Sequence, residues 1–152
     1  NLMKKKIEIK NGALTYEEVY NFVKEHSSYF IPDFEQQVED LVLYVDKIMS
    51  HASIYYVEYN QRIIAMMFVY YNIDLEQIYI PYICVDRRLK GYGIGRSLIK
   101  VLKTKKDFSV LRLEVSKDNT AFDFYSKIGF IIEEEREDKF LMCYKIKRTF
   151  PV

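Results

Sequence analysis

Apolar positions along the chain change period several times, and each change marks an element. Thr15 and Glu18 have the spacing of a capping box ahead of Val19, Phe22 and Val23, which predicts a short helix. After Pro32 and Asp33, the residues Phe34, Val38, Leu41, Val45 and Ile48 recur at steps of four and three, which predicts the longest helix. Residues 52–58 and 63–71 read as strands around a turn at Asn60-Gln61. Residues 78–85 are apolar on both faces, as a central strand should be. Pro81 within that run lacks an N–H and interrupts the ladder. Then come Gly91, Gly93 and Gly95, and a helical pattern through Ile94, Leu98, Val101 and Leu102. Residues 110–115 form a further strand pattern, 119–127 a short helix, and Gly129 its C-terminal cap. Residues 130–135 and 140–146 read as a closing antiparallel pair, and a weak alternation over 3–10 as a first strand.

The glycine turn carries the clearest chemistry. Its backbone amides can close around an anion without side-chain obstruction, and the next helix adds unpaired N–H groups and a positive dipole end. Arg87, Arg88, Lys90 and Arg96 surround the same turn, so it reads as a diphosphate cradle. A Walker loop would need Gly-Lys-Ser/Thr, whereas this chain has Gly95-Arg96-Ser97. A dinucleotide fingerprint wants G-x-G-x-x-G, and too little of the 152-residue chain follows Gly95 to complete a doubly wound sheet.

From Val85 the sequence V-D-R-R-L-K-G-Y-G-I-G resembles the acyl-CoA signature of the GNAT superfamily of N-acetyltransferases, V-x-P-x-x-Q/R-x-x-G-x-G/A. Gly93 and Gly95 fall on its glycines, Lys90 on the Gln/Arg position and Arg87 where Pro is frequent. A second stretch, 111–130, resembles the family's strand followed by N-x-x-A-x-x-x-Y-x-x-x-G-F, with Tyr125, Gly129 and Phe130 in place. The loop is one residue short, so either Asp118 or Asn119 takes the Asn position. The resemblance implies an α/β (α+β mixed) fold: a central mixed, mostly antiparallel sheet of about six to seven strands. About four helices would flank it, and its central strand pair would splay. Pro81 is compatible with that splay and equally with a kink in an edge strand.

The resemblance also implies roles. Acetyl-CoA would be the acyl donor, with no metal. Its diphosphate would lie on Lys90, Gly91, Tyr92, Gly93, Ile94, Gly95, Arg96 and Ser97, and its pantetheine along Ile83, Cys84 and Val85 with Asn119. Tyr125 would protonate the departing thiolate. Glu114 would serve as base, directly or through water, with the alternative that it is a salt-bridged strand-end residue. Tyr82 and Glu76 are weaker base candidates, and His26 and His51 read as surface or capping residues. The acidic stretch Glu133-Glu134-Glu135 with Glu137-Asp138 reads as a solvated turn or as an attractor of a cationic acceptor. The expected activity is transfer of an acetyl group to a primary amine of a small molecule or peptide. The alternatives are a non-catalytic acyl-CoA-binding module and a protein that binds NAD or S-adenosylmethionine.

Bulk properties narrow the class. A chain of 152 residues, 49% hydrophobic with 14 Tyr and 10 Phe, is expected to form one globular domain over 1–152. A net charge of +1 argues against nucleic acid or a membrane surface as the main partner. Lys4-Lys5-Lys6 leads into a strand pattern rather than the apolar segment of a secretion signal. Cys84 and Cys143 sit in apolar strand patterns and read as reduced core residues, from which a cytoplasmic setting follows. A monomer or homodimer is expected.

Overall fold

The computed structural model describes residues 7–147. Seven strands form one sheet in the order β1-β2-β3-β4-β5-β7-β6. They are β1 (Lys10–Asn11), β2 (Ser53–Tyr59), β3 (Arg62–Asn72), β4 (Gln77–Val85), β5 (Val110–Ser116), β6 (Ile131–Glu135) and β7 (Lys139–Lys145). Every neighbouring pair is antiparallel except β4 with β5. The helices are α1 (Tyr16–Glu25), α2 (Phe34–Gln37), α3 (Leu41–His51), α4 (Ile94–Lys103) and α5 (Ala121–Lys127). None of them is long and apolar enough to cross a membrane.

Local chemistry fixes most boundaries. The capping box forms as expected: Glu18 N–H donates to the Thr15 hydroxyl at 3.1 Å, and Thr15 N–H to the Glu18 carboxylate at 3.0 Å. Asn60 and Gln61 take φ of 52° and 63°, the left-handed pair a tight hairpin turn requires. Gly129 at φ 106° closes α5 with Phe130 N–H on Tyr125 O and Gly129 N–H on Ser126 O, a Schellman pair.

Three expectations are corrected. The single long helix after Asp33 is two, because Val38 is extended and Asp40 starts α3 by accepting Leu43 N–H at 3.2 Å. The helix expected over 119–127 begins at Ala121, since the Asn119 side chain accepts Ala121 N–H at 2.9 Å. Of the expected first strand, residues 3–6 lie outside the described residues, and pairing within them begins only at Lys10. In addition, β4 alternates between buried and half-buried positions instead of being uniformly enclosed. Its inner-edge partner has largely left it.

Two apolar clusters sandwich the sheet. One joins α4 and α5 to the sheet through Leu98, Leu102, Leu111, Leu113 and Tyr125. The other joins α1 to α3 through Val19, Phe22, Val45, Ile48, Phe68 and Tyr82.

Candidate active site

The parallel pair β4–β5 has three register partners, Gln77↔Val110, Ile78↔Leu111 and Tyr79↔Arg112, and then the strands part. The cause lies on the other edge of β4. Tyr79 faces Tyr70 and Tyr82 faces Phe68, so Ile80 and Pro81 together oppose Val69 alone. This is a β-bulge, which bends a strand and strengthens its twist. Pro81, with no N–H to donate, occupies the position where a ladder bond is already lost. Of the two readings of Pro81, the splayed one is present.

Two contiguous cavities fill the gap. One, of about 590 Å³, runs between Ile83 to Asp86 of the β4 side and Leu113 to Ser116 of β5, under Tyr29, Phe30 and Phe34. The other, of about 470 Å³, continues over Gly91, Gly93, Ile94, Gly95 and Arg96. Ile83, Cys84, Val85, Lys90, Ala121, Phe124 and Tyr125 line both.

The turn itself is shaped by its glycines. Gly91 and Gly93 take φ of 90° and 74°, and a Cβ on either would meet nothing within 4 Å, so their outer face is open. The backbone ladder of α4 starts with Ser97 N–H donating to Gly93 O at 3.0 Å, which leaves the preceding amides outside it. Such a turn, beside Lys90 and Arg96, can hold a diphosphate. Arg87 and Arg88 do not join it. Arg87 lies 4.1 Å over the Tyr29 ring, and Arg88 donates Nε and Nη2 to Asp86 at 2.9 and 2.8 Å. Tyr92 is exposed, and neither it nor Ser97 lines either cavity.

Tyr125 of α5 is 7% exposed, sits edge-on to Phe124 and Phe130, and reaches both cavities. Burial, followed by the nearby Cys84 thiol, pushes its hydroxyl above the ordinary tyrosine range. Burial likewise pushes the Cys84 thiol up to about 12, which keeps it a neutral, unreactive thiol. Glu114 faces the cavity from β5 with Arg136 Nη1 at 2.9 Å and Lys139 Nζ at 4.0 Å. Asn119 lines the same cavity, whereas Asp118 is exposed and does not. Tyr82 is buried against Phe68 and lies outside both cavities. Glu76 lies before β4 and also lines neither.

Within the acidic stretch, Glu133 pairs with Arg112, Glu134 with Arg136 and Glu135 with Lys117.

Sequence reasoning missed one arrangement. His26 caps the C-terminus of α1, as one reading of it expected, but it is buried rather than at the surface. Its Nδ1 contacts Phe22 O at 2.7 Å and its Nε2 contacts Asp86 Oδ2 at 3.0 Å. Asp86 also accepts Arg88 N–H at 3.0 Å, and Arg88 holds its carboxyl far below the usual carboxylate range. Glu25, His26 and Asp86 bring potential ligand atoms within 4.8 Å of one another. Each is already engaged, Glu25 by Arg62 and the other two as described. An Asp directly after a central strand was the available signal.

A sheet parted at its middle, with an open glycine turn at the end of the gap, is the architecture of a GNAT acetyltransferase. The chain belongs to that family: the model for the acetyltransferase (GNAT) domain matches residues 13–147. Solved structures share the fold at low identity. A GNAT-family protein from Desulfovibrio desulfuricans superposes with a TM-score of 0.75 at 15% identity, over 93% of this chain and 100% of that one. The PaiA N-acetyltransferase from Thermoplasma acidophilum, in complex with coenzyme A, gives 0.68 at 18%, over 91% and 99%. A GNAT family acetyltransferase from Elizabethkingia anophelis with acetyl-CoA bound gives 0.66 at 20%, over 93% and 99%. No curated protein matches the sequence.

Proposed function

We propose that the protein transfers the acetyl group of acetyl-CoA to a primary amine by direct attack in a ternary complex. The observation that carries this is the continuity of the open glycine turn with the β4–β5 gap, with Tyr125 lining both parts. The site fits the donor. Gly91, Gly93 and Gly95 with Lys90 and Arg96 would hold the diphosphate, and the free inner edge of Ile83, Cys84 and Val85 would pair with the pantetheine amides. Asn119 would border that arm. Edge amides there would also stabilise charge developing on the thioester oxygen in the transition state.

The amine nitrogen forms a bond to the carbonyl carbon while the carbon–sulfur bond breaks. Tyr125 gives its proton to the departing sulfur and recovers one from solvent. The amine proton passes to Glu114, directly or through water. A lysine-like amine of pKa ~10.4 is mostly protonated near neutrality, so this assistance matters. The unreactive Cys84 supports direct attack over a covalent acyl-enzyme. The free, buried Cys84 and Cys143 support a reducing, cytoplasmic setting.

Calorimetric titration tests this, with acetyl-CoA, CoA, NAD and S-adenosylmethionine added to wild type and Gly93→Glu. Acetyl-CoA binding that the variant loses, followed by amine-dependent thiol release, is the expected result. Binding of NAD or S-adenosylmethionine instead would overturn it. Acetyl-CoA binding without thiol release for any amine would leave a non-catalytic binding module.

A further inference from the structure

The wall of the larger cavity next to β4 is aromatic. Phe30 and Phe34 stand 5.2 Å apart, and both rest on Tyr82, at 5.3 and 5.1 Å. Tyr82 stacks on Phe68 at 4.7 Å, so the wall is backed by the sheet and held stiff. Ile31 lines the same cavity and is 51% exposed. The face of Tyr29 is already covered by Arg87 at 4.1 Å, which leaves Phe30 and Ile31 as the accessible apolar part of this wall, with the buried Phe34 behind them.

The charges around this cavity are one-sided. Of its acidic residues, Asp86 is enclosed by His26 and Arg88, and Glu114 is flanked by Arg136 and Lys139. Among the described residues Asp123 has no ion-pair partner, and it sits on an exposed face of α5. Against these stand Arg87, Lys90, Lys127 and Lys139. A substrate with two or more ammonium groups needs a carboxylate for each charge it leaves in the site, or it binds poorly. One amine, delivered by a flat apolar body, needs none beyond the base.

Resting on the acetyl-transfer reading, we infer that the acceptor is a monoamine carried on an aromatic or bulky apolar group. Its body would lie against Phe30, Ile31 and Phe34. Polyamines and amino sugars suit this wall less well, because Phe30, Ile31 and Phe34 offer neither hydrogen-bond partners for hydroxyls nor carboxylates for extra ammonium groups.

The test compares 2-phenylethylamine, spermidine, glucosamine and kanamycin as acceptors, read by thiol release from acetyl-CoA. The kcat/KM for 2-phenylethylamine should exceed each of the others by about tenfold or more, the scale set by apolar contact. Ile31→Asp, at an exposed position, should lower that value by about tenfold and raise the value for spermidine, since it puts a carboxylate into the apolar wall. Acetyl-CoA affinity, measured by calorimetry, should not change in this variant. A wild type that binds acetyl-CoA but prefers spermidine, glucosamine or kanamycin, or that acetylates no apolar amine, would overturn the acceptor class alone. Failure to bind acetyl-CoA would instead overturn the reading beneath it.

Discussion

His26 Nε2 lies 3.0 Å from Asp86 Oδ2, tying the end of α1 to the residue that opens the glycine turn. The two side chains are 2% and 3% exposed, so neither can exchange its partner for water. Removing one partner of a buried hydrogen bond, so that the other is left unsatisfied, typically costs about 1–3 kcal/mol. Urea unfolding of His26→Ala should show a loss on that scale. The surviving folded enzyme should also bind acetyl-CoA more weakly, because the turn has lost a fixed end.

The Asp86 carboxyl is held far below its usual range, first by its hydrogen bonds with Arg88. A depressed carboxyl stabilises the fold above its unfolded pKa of ~3.9, and the benefit is lost as pH falls towards the folded value. Asp86→Asn should therefore be less stable than wild type at pH 7, with the gap narrowing under acid. Urea midpoints at pH 7 and pH 3 give the comparison. A gap that widens on acidification would contradict the sign.

Two glycines with positive φ should respond differently to alanine. At Gly129, φ is 106° and a Cβ would stand 3.0 Å from the Tyr144 ring, whereas at Gly93, φ is 74° and the space is open. Gly93→Ala should lose only the left-handed strain, about 1 kcal/mol. Gly129→Ala carries strain and collision together, so its thermal midpoint should fall further. The reverse ranking would mean that the turn, not the α5 cap, is the tighter site.

Tyr125→Phe removes a proton donor without removing a ring. Turnover should fall about 100-fold, while acetyl-CoA affinity and thermal midpoint stay close to wild type. Because burial raises the hydroxyl pKa, the phenol keeps its proton through its ordinary value of ~10. The wild-type rate should then show no alkaline decline from this group below that pH. Wild-type turnover in the variant would assign the proton to water.

Cys84 sits in the gap and invites the question of a covalent intermediate. With its thiol raised to about 12, Cys84→Ser should keep turnover within about twofold of wild type. Mass spectrometry after incubation with acetyl-CoA alone should find Cys84 unmodified. An acetylated Cys84 would replace direct attack with a two-step route.

What the sequence disclosed was mostly local. The Thr15–Glu18 box, the Asn60-Gln61 turn and the Gly129 cap depend on residues a few positions apart, and each formed where its pattern placed it. The spacing of the two motifs carried the family for the same reason. The break at Val38 was hidden because its apolar period ran on through it, although Asp40 ahead of Leu41 was a cap in plain view. The enclosure of His26 was not legible, since its partner is 60 residues away. Arg88 illustrates the same limit: beside the glycines in sequence, it turns to Asp86 in space.

The parting of β4 from β5 creates two strand margins in the middle of the sheet rather than at its rim. Bare margins usually recruit foreign chains and seed aggregates. These two face one another across the gap, with β3 and β7 holding their outer sides, so neither lies at the rim of the sheet. The fold thus leaves main-chain donors and acceptors unpaired inside the sheet, away from the rim where a foreign strand would dock.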